Sequence, residues 1–179
     1  MEFNAKDFFE SFCKYIDNPE SYKVSAKTDN AIDTLRVFMA VDYACLKQVD
    51  FFGVGGTSYW RGNENGEFLC DYTYHYNYKI IIALESEWGT ATSSKSNTEK
   101  IVYDFRKIIN MASPIKIMVF AYTNIENKKK TMSEMSEILK FLPLIEKDCV
   151  ILISCPWNDA LCRDSVHGYI WSSHSWVTI

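Results

Sequence analysis

Polar and apolar positions alternate most regularly between Phe68 and Trp88. Phe68, Cys70, Tyr72, Tyr74 and Tyr76 occupy the even positions of one run, and Ile80, Ile82, Leu84, Ser86 and Trp88 those of the next. Strand side chains change face at every residue, so the two runs read as neighbouring strands that share a nearly unbroken apolar face. Even positions pair with even ones only when paired residue numbers add to an even sum. That parity predicts a three-residue loop, Asn77-Tyr78-Lys79, with Tyr76 opposite Ile80 and Asp71 opposite Glu85. The other face then holds Asp71, Thr73, His75, Ile81, Ala83, Glu85 and Glu87.

Helical periods flank this hairpin. Asn4 to Asp17 places Phe8, Phe9, Phe12, Tyr15 and Ile16 on one stripe and stops at Asn18-Pro19. The polar stretch Glu20 to Asn30 has room for a short strand around Tyr22 to Val24, and Asp29 or Asn30 suits a helix cap. Ala31 to about Val49 reads as a second helix with Leu35, Phe38, Asp42, Cys45 and Val49 on its stripe. Asp42 thus stands where an apolar residue belongs, and Asp33 falls on the opposite, solvated face. Phe51 to Trp60 is a strand bent by Gly53-Val54-Gly55-Gly56, and Arg61 to Gly66 is the turn that feeds the hairpin.

Beyond a Ser/Thr-rich loop, Gly89 to Ser96, Asn97 or Thr98 caps a helix that runs to about Ala112. Its stripe is Ile101, Phe105, Ile108, Ile109 and Ala112; Asp104 borders it, and Lys107 points well away on an ideal wheel. Pro114 precedes the apolar run Ile115 to Tyr122, a buried strand. Glu126 to Lys130 is expected to be a mobile basic turn, and Thr131 with Glu134 a capping box that opens a helix to Leu142. Cys149 to Cys155 is a further buried strand. The alternation of strand and helix from Lys79 to Cys155 implies parallel pairing there. Gly168 to Ile179 reads as an edge strand or packing arm.

The chain of 179 residues suits one domain, spanning 1–179, and 47% of it is hydrophobic. A formal charge of -4 and a pI near 5.4 argue against nonspecific coating of nucleic acid. Neither a membrane span nor a secretory signal is legible, so the cytoplasm is the expected location. Six cysteines with no CxxC pattern read as reduced core thiols.

The chemistry concentrates at three carboxylates. Asp71 opposite Glu85, with Glu87 two positions along, brings like charges within about 5 Å, which costs stability unless a cation sits among them. The alternative is a solvated polar face. Asp42 reads either as a hydrogen-bonded core group or as a carboxylate aimed at this cluster. A zinc site from Cys155, Cys162, His167 and His174 is disfavoured by its loose spacing. None of His75, His167 and His174 has a signature for nucleophilic catalysis, and there is no GxSxG.

The order helix, three antiparallel strands, helix, strand, with Asp71 before Glu85-Ser86-Glu87, resembles the PD-(D/E)XK nuclease superfamily over about 31–122. The resemblance implies an α/β, restriction-endonuclease-like αβββαβ core with a mixed central sheet flanked by helices, extended at its C-terminus by a further helix and strand. It implies a nuclease, a hydrolase of nucleic acid, with DNA as the first partner to consider and no membrane. Mg²⁺ or Mn²⁺ is the implied cofactor, with Asp71, Glu85, Glu87 and Asp42 as the metal residues, the Ser86 carbonyl as a further oxygen ligand, and Glu87 orienting or deprotonating the water. Glu87 stands where the family usually has Lys, and Lys107 is the candidate replacement cation, the alternative being a surface lysine paired with Asp104. The competing class is a noncatalytic protein that keeps this fold for binding, for which 15% aromatic residues would suit an interaction surface. The oligomeric state stays open, a dimer included.

Overall fold

The structure, a computed structural model, describes residues 3–18, 30–48, 54–57, 70–88, 97–142, 148–157 and 161–179, with the backbone alone at 30, 31 and 54–57. Its elements in chain order are α1 (Ala5–Ile16), α2 (Asn30–Lys47), β1 (Val54–Thr57), β2 (Tyr72–Tyr76), β3 (Lys79–Glu87), α3 (Asn97–Ile109), β4 (Ile115–Tyr122), α4 (Ile125–Phe141), β5 (Cys149–Pro156), β6 (His167–Ser172) and β7 (Ser175–Thr178). The strands lie side by side in that order in one mixed sheet. β1, β2 and β3 pair antiparallel, β3, β4 and β5 parallel, and β5, β6 and β7 antiparallel. Parallel neighbours need a long crossover, here α3 and α4, while two-residue turns close β2 on β3 and β6 on β7.

The two faces have separate cores. Phe8, Phe12 and Ile16 of α1 and Val37 and Val41 of α2 pack on Tyr72, Tyr74, Ile82, Leu84, Ile117 and Ile153. On the other face Ile101, Phe105 and Ile108 of α3 and Met135 and Leu139 of α4 cover Ala83, Met118, Phe120 and Leu152. β4 is buried along its whole length, which is why its sequence shows no alternation. Its one charge, Lys116, donates to the Ser113 carbonyl and lies 3.2 Å from Asp148.

The hairpin corrects the expected turn and keeps the expected parity. The loop has two residues, Asn77 and Tyr78, both left-handed with φ of 48° and 61°, so Tyr76 pairs with Lys79. A bulge between Tyr74 and His75 then shifts the register: His75 pairs with Ile80 but Tyr74 with Ile82, leaving Ile81 as the extra residue. Beyond it Thr73 faces Ala83 and Tyr72 faces Leu84. Two-residue hairpin loops favour Asn-Gly, and a non-glycine residue in the left-handed region costs about 1–2 kcal/mol. Tyr78 is fully exposed and has no packing to lose. Tyr78→Gly should therefore stabilise the protein by about 1 kcal/mol in urea melts.

The C-terminal arm is a second hairpin rather than a single strand, closed by Ser173 and His174 with φ of 49° and 64°. It is seated by α1. A Cβ added at Gly168 would lie 2.7 Å from the Phe9 ring, so this strand needs glycine where the helix crosses it. Gly168→Ala should cost about 1–3 kcal/mol of stability, read from chemical melts.

Four other expectations change. The buried stripe of α2 is Val37, Phe38, Ala40, Val41, Ala44 and Cys45, while Leu35 is exposed; the small residues let α1 pack closely alongside. Asp33 is not free in solvent but lies 3.4 Å from Arg36, whose buried guanidinium also donates to the Ile16 and Leu161 carbonyls. The basic segment 126–130 is helical: Asn124 caps α4 by accepting from the Asn127 N–H at 2.8 Å. Thr131 therefore caps nothing and instead shares a buried 3.0 Å hydrogen bond with Thr98. Lys128 packs its ammonium over the Tyr122 and Tyr169 rings at 4.9 and 5.0 Å. The expected strand at 22–24, the cap at 29, the turn at 61–66, Val49 and the loop at 89–96 lie outside the described residues.

The α/β class, with a mixed open sheet flanked by helices, is what the structure shows. All six cysteines are free thiols. Among the described residues no helix is long and apolar enough to cross a membrane.

Candidate active site around Glu85

Glu85 is the anomaly of β3. It lies on the face that carries Ala83, in register with Met118 of β4, and is only 2% exposed. A carboxylate so placed must find compensation or hold a proton. Two neighbours act on it in opposite directions. Burial first, and the Asp71 charge second, push its carboxyl up to about 9, while the Lys107 ammonium opposes both.

Asp71 stands immediately before β2, where the even parity of Tyr72 with Leu84 continues toward Glu85. Its carboxylate takes the place of a ladder carbonyl, accepting the Ser86 N–H at 2.9 Å. The Ser86 hydroxyl is buried and has no hydrogen-bond partner.

Lys107 reaches the site from α3. Its Nζ lies 2.7 Å from Glu85 Oε1 and 2.8 Å from Asp104 Oδ1. The ammonium therefore meets Glu85 Oε1 directly, and it is the charge partner this buried oxygen has. Burial alone would lower the Lys107 pKa; Asp104 and Glu85 outweigh it and raise the value, keeping the group an ammonium. The expectation that Lys107 points away from the strand is thus corrected. An ideal wheel ranks Cα directions, whereas a four-carbon stem runs over the helix surface toward a buried charge. The Asp104 pairing, at three-residue spacing, is legible in the sequence; its role as the second anchor of a site lysine is not.

Glu87 is half-buried, two residues beyond Glu85, and pairs in register with Phe120, whose side chain belongs to the same α3/α4 face. His75 is engaged with Thr73, its Nε2 2.7 Å from the Thr73 hydroxyl.

Asp42 does not join these residues. It accepts a short hydrogen bond from the Tyr72 hydroxyl, and Tyr72 belongs to the core under α1 and α2, on the opposite face of the sheet from Glu85. Burial raises its pKa and the Tyr72 bond holds the rise back. The helical stripe puts Asp42 on the core-facing side, but alternation along β2 and β3 sends Tyr72 and Glu85 to different faces. It is a core hydrogen-bonding group, not a ligand in this site.

The zinc reading also dissolves: Cys155 is buried under α1 and α2, and Cys162 lies in the turn with Ser165. Among the described residues no three His, Cys, Asp or Glu side chains are placed to hold a metal ion. Two carboxylates nevertheless suit Mg²⁺, which keeps several waters and is commonly held by one or two carboxylates together with substrate phosphate. The hard oxygens of Asp71 and Glu85 fit such an ion when it takes the place of the Lys107 ammonium, which stands 2.7 Å from Glu85 Oε1.

Comparison with models of known protein families, with curated proteins and with solved structures finds no match to this chain.

Proposed function

We propose that this protein hydrolyses phosphodiester bonds of nucleic acid in a metal-dependent reaction, on a PD-(D/E)XK-like core formed by α2, β1, β2, β3, α3 and β4. One observation carries the reading: a nearly inaccessible Glu85 is flanked by Asp71 and met at 2.7 Å by Lys107 from the crossover helix. Desolvation together with specific charge partners is how functional carboxylates are set apart from solvated ones. The order of an antiparallel three-strand meander, a helix and a parallel strand supports the same assignment.

Asp71, Glu85 and the Ser86 carbonyl would hold Mg²⁺ or Mn²⁺. When bound, the ion would supply a water acidic enough to be a nucleophile at neutral pH and would offset charge on the scissile phosphate. Asp71 is oriented for this by the Ser86 N–H. Glu87 would accept the proton of the attacking water as that water's oxygen bonds to phosphorus, while the leaving oxygen takes a proton from solvent as its bond to phosphorus breaks. Lys107 places a positive charge beside the phosphate as negative charge builds there.

The test is incubation of plasmid, linear duplex, single-stranded DNA and RNA with the protein and millimolar Mg²⁺ or Mn²⁺. Metal-dependent cleavage of any of them supports the reading. No cleavage, with melting temperature unmoved by either metal, makes a noncatalytic binding protein of this fold the better account.

A further inference from the structure

Asp104 belongs to no part of the mechanism above, yet it grips the same ammonium as Glu85. Lys107 Nζ stands 2.7 Å from Glu85 Oε1 and 2.8 Å from Asp104 Oδ1, between one nearly inaccessible carboxylate and one that is 15% exposed. Lys107 itself is 30% exposed on its side chain. The ammonium thus occupies the cationic place beside Glu85, with a second seat on its own helix.

We propose that Lys107 is the resident counter-ion of Glu85 and that Asp104 is the positioning residue that holds it when a divalent cation takes its place at Glu85. This rests on the metal-dependent reading of the site. A +1 ammonium against Glu85 and a +2 ion on the same carboxylate repel each other, so entry of the metal moves Lys107 off Oε1. The i, i+3 placement of Asp104 lets the stem keep an anchor on its own helix, because both carboxylates already contact the one nitrogen. The released ammonium then remains within reach of a phosphate at the metal.

The charges predict opposite effects for the two residues. Removing the ammonium removes repulsion toward the ion. Any proton held on Glu85 feels the ammonium with half the charge of the divalent ion, so the change favours the metal even where a proton must be displaced. Removing the Asp104 charge leaves Lys107 with Glu85 as its sole ionic anchor and strengthens the competition.

Mn²⁺ and Mg²⁺ binding to the full chain, measured by calorimetry and by manganese paramagnetic resonance, tests this. Lys107→Met should bind Mn²⁺ roughly tenfold more tightly than wild type at low ionic strength, with the gain shrinking in salt. Asp104→Asn should bind severalfold more weakly, and Asp104→Glu should restore most of the loss. A metal-free melt of each variant checks folding. Unchanged or weaker metal binding by Lys107→Met, with wild type binding normally, overturns the exchange while leaving the metal site standing. Absence of binding in wild type and Lys107→Met alike overturns both.

Discussion

Glu85→Gln should remove metal-dependent cleavage, by about 10²–10³-fold or more, while leaving the metal-free protein at least as stable as wild type. The substitution keeps the volume of a side chain that is 2% exposed and deletes a charge that burial and Asp71 both oppose. Lys107 loses one anchor and retains the other, Asp104 at 2.8 Å. Metal-induced stabilisation should vanish with activity; in wild type it should follow mass action and reach about 2.7 kcal/mol when free metal is a hundred times its dissociation constant. Asp71→Asn should behave similarly, since an amide oxygen can still accept the Ser86 N–H. A purely structural Glu85–Lys107 pair gives the contrary result, because stripping one partner from a buried pair costs about 3 kcal/mol or more. Urea melts with and without Mg²⁺, run beside the cleavage assay, distinguish the two. A Glu85→Gln protein destabilised by that much, with no metal effect in wild type, would show that the pair holds the fold and nothing else.

Residues whose environment is set by neighbours in sequence are the legible ones. Asn4 and Asp17 bound α1 as the helical stripe requires, and the largely apolar run of β4 can be placed to the residue. The shared face of Asp71 and Glu85 follows from parity alone, although the turn that delivers it does not. An Asn-Tyr loop carries no glycine to announce a left-handed pair, and the bulge that restores the register has no sequence mark. The charges of segment 126–130 suggest a solvated turn, whereas Asn124 supplies a cap and two tyrosine rings cover Lys128. Asp42 shows the limit most directly. A helical wheel states which face a residue takes on its own helix, and only the tertiary arrangement decides which side of the sheet that face meets. Lys107 escapes the wheel for the converse reason, since its reach rather than its Cα direction brings it to Glu85.

Without metal, stability should fall as the pH rises from about 5 toward 9. Glu85 has a folded-state pKa raised to about 9 from 4.5, so between those values the native state binds more protons than the unfolded chain. Its contribution is complete below the unfolded value and is lost as pH climbs through the folded one, with a slope of at most about 1.4 kcal/mol per pH unit. Lys107 and Asp104 temper the slope from opposite sides, the first lowering the Glu85 pKa and the second raising it. Asp42, also raised, adds loss of the same sign at the acid end, and His167, lowered by burial and by Lys128, adds a gain near its usual range. The buried thiols Cys13, Cys45, Cys70 and Cys149 are all raised, so they enter only above their usual range. These groups are common to wild type and Glu85→Gln, and the difference between the two stability profiles isolates Glu85. That difference should run downhill for wild type from about pH 5 to about 8.5, and saturating Mg²⁺ should flatten or reverse it, because an ion held by the ionised carboxylate makes the native state release the proton. Urea melts at half-unit pH steps on both proteins supply the measurement. Parallel profiles would mean that Glu85 is already ionised across the range, held so by Lys107, and that the buried pair carries no proton for a metal to displace.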